Sequence, residues 1–312
     1  MLKQSSTSPA TGDAVLPVIV NNSGGAVAAG SGDQREQIEQ AFSSQGVKVV
    51  VDLVEGAEIA EWMARAAGAP RIVLGGGDGT MSTAAAALAG TTTSLAILPL
   101  GTLNHLARDL GIPATLEEAA RIAVNGHPVA IDLGRLNEAY FVNNVSIGIY
   151  PAFVRLREEF RTRTGLPKWL VAGPAAWIVL IRLKKHRLRL DTAAGSREII
   201  TPLLFIGNNR YSLDAGEVGM RRSLCEGKLS VLAVQRHGRL SLLWFGLRAI
   251  LGRANKMSDF VMLDEVTELT VTAERPGVDV GIDGELKRLD YPLVFTSEPA
   301  ALTVICPEDN IR

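Results

Sequence analysis

From Leu16 to Gly101, short β-branched runs alternate with helical segments, and this alternation leaves few folds open to the chain. The runs LPVIVNN, VKVVVDLV, RIVLGGG and SLAILPLG are almost continuously apolar, and segments such as DQREQIEQAFSSQ and AEIAEWMARAA separate them. Strands of this kind indicate a mostly parallel sheet that helices cover on both faces. We therefore expect residues 14–131 to form a doubly wound α/β domain.

After Ile131 the sequence changes to shorter runs with turn residues between them, such as RLRLDT, KLSVLAV and ELTVTA. This pattern is typical of an antiparallel β-sandwich, which we expect over residues 132–294. Two helical segments, Lys168–Arg182 and Leu240–Leu251, interrupt it. Residues 295–312 include the apolar run LTVIC, which we expect to return to the first domain. The predicted fold is therefore α/β plus all-β.

The bulk composition excludes several classes of protein. A net charge of −1 argues against a nucleic-acid coat, so no nucleic-acid partner is expected. The two cysteines, Cys225 and Cys306, are far apart and match no metal-ligand spacing, so we expect neither a disulfide framework nor a cysteine zinc site, and a reducing compartment fits best. The first thirteen residues carry no signal pattern, and Gly173 and Pro174 interrupt the apolar run Trp169–Ile181. We expect a cytoplasmic protein without a cleaved signal or a spanning helix.

A basic segment at residues 151–190 predicts contact with a membrane surface. It holds ten Lys or Arg residues against Glu158 and Glu159, so its net charge is +8. The basic residues are Arg155, Arg157, Arg161, Arg163, Lys168, Arg182, Lys184, Lys185, Arg187 and Arg189. Because anionic lipid headgroups attract Lys and Arg, and Trp169 and Trp177 suit the interface, we expect peripheral association with a membrane. An edge strand with basic solvent-facing side chains and a buried helix explain the same residues equally well.

The loop Gly75–Thr80, GGGDGT, directly follows a strand and opens a helix. Glycines at such a turn let backbone N–H groups approach an anion, and the helix N-terminus favours phosphate. The loop is not a P-loop, because no Gly-Lys-Ser/Thr follows, and not a dinucleotide fingerprint, because Thr80 stands where the last glycine belongs. We interpret it as a phosphate-binding loop. The alternative is a tight turn in which Asp78 caps the next helix.

A second loop, Leu98–Pro113, also follows a strand and opens a helix. Thr102 and Asn104 are short polar residues at the carboxyl end of a parallel strand, where open α/β sheets bind ligands. Two such loops side by side predict a nucleotide crevice. Thr102 fits the N-cap of a helix equally well.

The segment Gly281–Arg288, GIDGELKR, places acids in the β-rich half of the chain. Phosphoryl transfer to an alcohol needs an acceptor for the hydroxyl proton, and a carboxylate within hydrogen-bond reach can serve. Asp283 and Glu285 are both candidates. The alternative is an ordinary hairpin turn whose acids are solvated.

The order of these motifs along the chain carries more information than any one of them. Six motifs follow one another in this order: GGGDGT, LPLGTLNHLARDLGIP, DLG at 132–134, GNN at 207–209, EGKLSV at 226–231 and DGE at 283–285. Together they resemble the bacterial diacylglycerol kinase and lipid kinase family, related to sphingosine and ceramide kinases. The resemblance extends over residues 18–305. It implies an ATP-dependent lipid kinase that phosphorylates the hydroxyl of a diacylglycerol-like or sphingoid-like lipid. It also implies a nucleotide cleft between the two domains, and a homodimer is a further expectation.

The same resemblance implies roles for individual residues. Glu285 matches the proton acceptor, and Asp78 in the first loop is a second catalytic candidate. One magnesium ion is implied to arrive with ATP, and another to bind near Ser223, Glu226 and the backbone carbonyl of Lys228. The residues implied in nucleotide binding are Asn21, Gly24, Gly25, Gly76, Gly77, Asp78, Gly79, Thr80, Ser82, Thr102 and Asn104.

The chain departs from the family pattern at several positions. His105 stands where the family usually has aspartate, Ser82 replaces a common asparagine, and Glu226 replaces a common aspartate. A nucleotide-contacting threonine expected near Val54 is absent. Two alternatives stay open: an NAD kinase-like enzyme, which shares the GGDGT loop, and a non-catalytic nucleotide or lipid sensor. Against the NAD kinase-like alternative, GTLNHLARDLGIP differs from the glycine-spaced loop that is typical of NAD kinases.

Overall fold

The structure is a computed structural model. The residues it describes are 15–22, 31–181, 184–211, 221, 223–234 and 260–308. Several predicted features lie outside these residues, namely Gly24, Gly25, Arg182 and the helix Leu240–Leu251.

The first half of the chain forms a parallel sheet covered by helices, as the alternating pattern predicts. Its strands are β1 (Leu16–Asn21), β2 (Val49–Val54), β3 (Arg71–Gly76) and β4 (Ser94–Pro99). Its helices are α1 (Ser31–Ser43), α2 (Ile59–Ala66), α3 (Asp78–Leu88), α4 (His105–Asp109) and α5 (Leu116–Asn125). The strand order is β2-β1-β3-β4, and every pair is parallel. The carboxyl ends of β3 and β4 therefore lie side by side.

Burial on both faces explains why these strands are continuously apolar. Ile72, Val73 and Leu74 of β3 are all fully buried. Phe42 of α1 and Leu88 of α3 belong to the same core. Each such side chain removed from water contributes about 1.5–3 kcal/mol. Packing against the sheet, more than intrinsic propensity, therefore stabilises these helices.

The second half of the chain is mainly β-structure. Its strands are β5 (His127–Leu136), β6 (Ala139–Phe141), β7 (Asn144–Gly148), β8 (His186–Thr192), β9 (Gly195–Thr201), β10 (Leu203–Asn208), β11 (Leu229–Val234), β12 (Phe260–Val266), β13 (Glu268–Thr272), β14 (Gly277–Ile282), β15 (Glu285–Asp290) and β16 (Leu293–Cys306). Two helices, α6 (Ile149–Thr164) and α7 (Lys168–Ile181), follow β7.

The long strand β16 runs through both halves. Its C-terminal end pairs in parallel with β4, where Thr303 lies opposite Ser94, and its N-terminal end pairs antiparallel with β13. It also pairs with β5, with a shift of register between Glu298 and Leu302. The apolar run LTVIC therefore lies in the sheet of the first half. The predicted boundary after Ile131 falls inside β5, so the two halves share strands.

A second sheet, ordered β12-β11-β10-β7-β14-β15, is antiparallel. The first sheet continues beyond β4 through β16, β13, β8 and β9, which pair with one another antiparallel. The second sheet packs on these antiparallel strands. Phe141, Leu293 and Phe295 from the first sheet share one core with Val145 and Val280 from the second. The predicted β-sandwich, and with it the α/β plus all-β fold, is confirmed.

Helix α6 is not among the predicted elements. It begins after Gly148, whose φ of 109° is a conformation that favours glycine, and a Cβ there would collide with the carbonyl oxygen of Pro202. It ends at Gly165, which adopts the left-handed conformation and donates its N–H to the carbonyl of Arg161. Among the described residues, no helix is long and apolar enough to cross a membrane.

From His186 onward, the basic run RLKKHRLRL belongs to β8, an inner strand of the first sheet. Strand β8 lies between β13 and β9, so the interpretation of this run as an edge strand is wrong and β9 occupies the edge. Leu188 and Leu190 point into the core, whereas Arg187 and Arg189 point to solvent. The alternation of the run fits a half-buried strand, and it carries no information on which strand lies at the edge.

Candidate active site

The two glycine loops contact each other through their backbones. Gly77 is the N-cap of α3, and a Cβ on it would lie 3.3 Å from the Cα of Gly101. A Cβ on Gly101 would stand well inside van der Waals distance of the Gly77 Cα. The N–H of Leu100 also donates to the carbonyl of Gly76 at 3.1 Å. The loops therefore lie side by side, as predicted, and present bare backbone at the carboxyl edge of the sheet.

The end of β1 meets the first loop through Thr80. The buried hydroxyl of Thr80 accepts a hydrogen bond from Asn21 Nδ2 at 2.7 Å. Gly76 lies against the same side chain, since a Cβ on it would be 2.6 Å from the Cβ of Thr80. Asn21 is thus joined to the first loop, and its hydrogen bond to Thr80 holds the end of β1 against that loop.

Asp78 joins the first loop to the second. Its Oδ1 accepts a hydrogen bond from the backbone N–H of His105 at 2.7 Å. His105 is the first residue of α4, so Asp78 caps α4 and not the helix that it begins itself. The alternative in which Asp78 caps α3, the helix that follows the loop, is therefore wrong, because Gly77 is the N-cap of α3. Oδ2 of Asp78 has no hydrogen-bond partner among the described residues.

Asn104 shapes the second loop. It is the N-cap of α4, with a φ of 50° in the left-handed region. Its Oδ1 accepts from the N–H of Gly101 at 3.0 Å, and its Nδ2 donates to the carbonyls of Pro99 and Gly101 at 3.1 and 2.9 Å. Thr102 is exposed and is not the N-cap, which corrects that alternative. Its hydroxyl makes no hydrogen bond to the described part of the chain, so it is open to a ligand.

Glu285, the first residue of β15, lies beside the first turn of α3. Its Oε1 is 3.8 Å from the position that a Cβ on Gly79 would occupy. The side chain is exposed and forms neither an ion pair nor a hydrogen bond with a described residue. The N–H groups in the first turn of an α-helix have no intrahelical partner and carry partial positive charge. The carboxylate of Glu285 and the positive end of α3 therefore border the same space.

Asp283 is committed to the fold. Its Oδ1 accepts from the N–H groups of Asn143 and Asn144 at 2.8 and 2.9 Å. Its Oδ2 accepts from the N–H of Val142 and from the hydroxyl of Ser82, both at 2.7 Å. The predicted hairpin turn is present, but this acid is half-buried and binds protein groups through both of its oxygens. Because both oxygens are occupied, Asp283 is the weaker candidate for a proton acceptor.

The bond between Ser82 and Asp283 has a consequence for the site. Ser82 lies in α3, and Asp283 lies in the turn between β14 and β15, so their hydrogen bond holds the hairpin against the helix. This contact lies two residues before Glu285 in the chain and so helps to keep Glu285 close to Gly79. The Ser82 hydroxyl, implied to bind nucleotide, is thus turned towards the hairpin.

The residues expected to hold a second magnesium ion lie in the turn before β11. Ser223 Oγ accepts from the N–H of Cys225 at 3.2 Å, and the carbonyl of Lys228 accepts from the N–H of Asn209 at 2.8 Å. Glu226 is exposed and supplies the one carboxylate of the set. No cluster of three or more His, Cys, Asp or Glu suited to a metal occurs within the described ranges. One carboxylate with two oxygens that already accept hydrogen bonds fits a tightly held magnesium ion poorly.

The DLG motif stabilises this turn from inside. Buried Asp132 accepts from the N–H of Gly227 at 2.6 Å and from the N–H of Ala300 at 2.9 Å.

Burial, with a smaller contribution from the Asp132 charge, raises the pKa of Cys225. Burial raises the pKa of Cys306 to about 11. Both free thiols are therefore protonated at neutral pH and are poor nucleophiles or metal ligands.

Sequence reasoning missed three features around the site. The ring of Tyr150, in the first turn of α6, lies 3.2 Å from the position of a Cβ on Gly281 and so covers the backbone of the hairpin. The turn 142–144 binds Asp283 from the other side. A buried ion pair joins Arg221 to Asp109. The Asn-Asn pair in the turn was a visible turn signal, whereas nothing in the sequence pairs Arg221 with Asp109.

Comparisons with known proteins find similar sequences and a similar fold. The family model described as diacylglycerol kinase catalytic domain matches residues 15–136. A diacylglycerol kinase of Mycobacterium tuberculosis is 31% identical over 253 residues, covering 78% of this chain and 78% of that protein. A Pseudomonas fluorescens protein named "Probable lipid kinase YegS-like" is 31% identical over 254 residues, covering 79% of this chain and 81% of its own length. A crystal structure of a diacylglycerol kinase from Bacillus anthracis aligns with a TM-score of 0.66 at 18% identity, covering 95% of this chain and 98% of that chain, and so shares the fold.

Proposed function

Because this chain belongs to the diacylglycerol kinase family and is a lipid kinase, we propose that it transfers the γ-phosphate of ATP to the hydroxyl of a diacylglycerol-like lipid. The observation that carries the proposal is the position of Glu285 beside Gly79, in the first turn of the helix that the glycine loop opens. An anion is favoured at such a helix N-terminus. A carboxylate next to it is suited to accept the proton of an attacking hydroxyl.

The chemistry follows from these placements. Glu285 takes the proton of the lipid hydroxyl, and the lipid oxygen forms a bond to the γ-phosphorus. The bond from that phosphorus to the β,γ-bridging oxygen breaks, and ADP leaves. Backbone N–H groups of the apposed loops, with the open hydroxyl of Thr102, orient the phosphates for an in-line approach.

Magnesium bound with ATP would neutralise charge on the phosphate oxygens. Among the described residues, Asp78 Oδ2 is a free carboxylate oxygen at the junction of the two loops, so Asp78 would help to hold the ion there. The other oxygen of Asp78 binds the His105 N–H and keeps the carboxylate in place. Ser223, Glu226 and Lys228 are poorly suited to a second, tightly held ion.

A transfer assay with labelled ATP tests the function. The purified chain is offered diacylglycerol, sphingosine, ceramide and phosphatidylglycerol in mixed micelles, and NAD in solution. We expect label in the organic phase with diacylglycerol as acceptor. Label on a sphingoid base alone would move the acceptor to the other lipid class. Label on NAD, or on no acceptor, would contradict the proposal.

We also propose that the enzyme docks on an anionic bilayer through one face of α7. Val171, Ala175 and Val179 form the buried face of this helix. The opposite face is apolar as well, and it is exposed. Its residues are Leu170, Pro174, Trp177 and Ile181, which we call the α7 face. A helix that is apolar on its solvent side as well as its packed side suits a membrane interface.

Basic residues that flank α7 in the sequence favour docking on an anionic membrane. Arg163, Lys184, Lys185 and Arg187 are exposed and form no ion pair with a described residue. His186 adds no charge at neutral pH, because burial, followed by the charges of Arg275 and Lys184, lowers its pKa. Part of the basic segment is unavailable, since Arg155 pairs with Asp279 at 2.6 Å and Arg161 with Glu158 at 2.9 Å. The membrane-facing charge is therefore smaller than the sequence count suggests.

Sedimentation with vesicles tests the docking. Binding to anionic vesicles should exceed binding to neutral ones and weaken as salt rises, because exposed charges are screened over about 8 Å at physiological ionic strength. Trp177→Ser should lower binding at every salt concentration. Ile200→Ser is the matched control, because Ile200 is 50% exposed, close to the 55% of Trp177, and lies on the edge strand β9. Equal binding by the two variants would contradict docking through the α7 face.

A further inference from the structure

A buried ion pair links the second glycine loop to the sandwich domain. Arg221 Nε lies 2.7 Å from Asp109 Oδ2, and the two side chains are 1% and 8% exposed. Arg221 also donates to the carbonyl of Val142 at 2.6 Å and to Oδ1 of Asn143 at 2.9 Å. The guanidinium lies 5.7 Å from the ring centroid of Tyr211, whose hydroxyl donates to the carbonyl of Asn143. Three side-chain nitrogens of one arginine are therefore occupied in the interior.

The partners of Arg221 belong to two parts of the candidate site. Asp109 is the last residue of α4, the helix whose first N–H binds Asp78. Val142 and Asn143 form the turn whose N–H groups bind Asp283. One side of the guanidinium thus contacts α4, at the end of the second glycine loop. The other side contacts the turn that binds Asp283, in the hairpin that carries Glu285.

We propose that Arg221 is a positioning residue, an interior cation that clamps the second glycine loop to the turn 142–144 and so sets Glu285 against the loops. The proposal rests on the proposed function for its kinetic consequence and on contacts alone for its structural one. Only arginine offers a planar fork that binds a carboxylate and two neighbouring oxygens together. Lysine would keep the charge and lose the fork.

Arg221 lies close in sequence to the residues that were expected to bind a second metal ion. It precedes Ser223 by two residues, in the segment where the family resemblance implies a divalent ion, and that segment offers a poor set of ligands. A cation supplied by the chain itself does not depend on free metal. The junction should therefore keep its stability when divalent ions are removed.

Four proteins test the clamp: wild type, Arg221→Lys, Arg221→Met and Arg210→Met. Arg210 is the matched control because its ion pair with Glu265, at 3.0 Å, lies at the surface, with the arginine 65% exposed. Removing one partner of a buried pair leaves an uncompensated charge, so Arg221→Met should lower the melting temperature by about 5–15 °C. Arg210→Met should change it by less than about 2 °C. Arg221→Lys should fall between wild type and Arg221→Met.

Two further measurements, the effect of divalent ions on melting and the kinetics of Arg221→Lys, distinguish a clamp from a general contribution to stability. The melting temperature of the wild type should be the same in EDTA as in magnesium chloride. At a temperature where Arg221→Lys is fully folded, its kcat with diacylglycerol should fall about 10-fold, with a much smaller change in KM, because misplaced groups lower the rate more than ground-state binding. Wild-type kcat in Arg221→Lys, or an EDTA effect as large as that of Arg221→Met, would overturn the proposal. If the wild-type protein shows no lipid turnover, the proposed function is wrong. The melting temperatures of the variants would still test the clamp.

Discussion

Replacing Glu285 with glutamine should lower lipid turnover by roughly 10²–10⁴-fold, the usual contribution of a positioned general base. Glutamine keeps the shape of the side chain and removes its basicity. Because Glu285 makes no hydrogen bond or ion pair within the described part of the chain, the substitution should not disturb the fold. The affinity for ATP should stay close to wild type. Steady-state kinetics with the lipid and calorimetry with ATP measure the two quantities separately. The loss falls at the low end of the range if proton transfer is late in a loose transition state.

Asp283→Asn is the companion variant, and its expected defect is different. An amide at this position offers one oxygen where the carboxylate offers two, and its NH₂ group would face N–H donors that now bind Asp283. We expect a clear fall in melting temperature, with turnover lost in proportion to unfolding. Glu285→Gln should melt like wild type. If Glu285→Gln keeps full turnover while folded Asp283→Asn loses it, the proton acceptor is Asp283 and our assignment is wrong.

The parts of the fold that sequence reasoning could predict are those that depend on neighbouring residues. The alternation of apolar strands with amphipathic helices reports local burial, and the glycine loops follow directly from strand ends. Helix α6 escaped prediction because its polar and basic residues suggest a solvated segment. Its limits are set by the glycines at its two ends. The order of β8 and β9 in the sheet depends on pairings that periodicity does not encode.

The contacts that assemble the site were not predictable in the same way. Ser82 and Asp283 are separated by 201 positions, and Arg221 and Asp109 by 112. A motif identifies the type of each residue and leaves its partner open. DGE, for example, presents two carboxylates that look alike in sequence. The structure distinguishes them, because backbone N–H groups surround Asp283 and leave Glu285 open.

The same contacts change the expected roles of several loop residues. The side chain of Asn104 binds the backbone of its own loop, Ser82 binds Asp283, and one oxygen of Asp78 binds a backbone N–H of α4. The family resemblance implies that Asn104, Ser82 and Asp78 all contact nucleotide. Their side chains hold the loops in shape, and the surface left for a phosphate is mostly backbone. Phosphate recognition should therefore depend on the close approach of the two loops more than on any one loop side chain.

Gly101→Val is the substitution that tests this dependence. Any Cβ at this position would overlap the Cα of Gly77, so the two loops must separate and the N–H groups can no longer converge on one phosphate. A hydrogen bond to a charged group contributes about 1.5–3 kcal/mol, so the loss of one or two should weaken ATP binding roughly 100-fold. Calorimetric titration with ATP measures the affinity, after circular dichroism has shown that the variant is folded.

Gly77→Ala is the graded comparison, because its Cβ would lie 3.3 Å from the Cα of Gly101 and needs a shift of only a few tenths of an ångström. The apposed loops are the phosphate site if folded Gly101→Val binds ATP much more weakly than Gly77→Ala. Wild-type ATP affinity in folded Gly101→Val would place the nucleotide elsewhere.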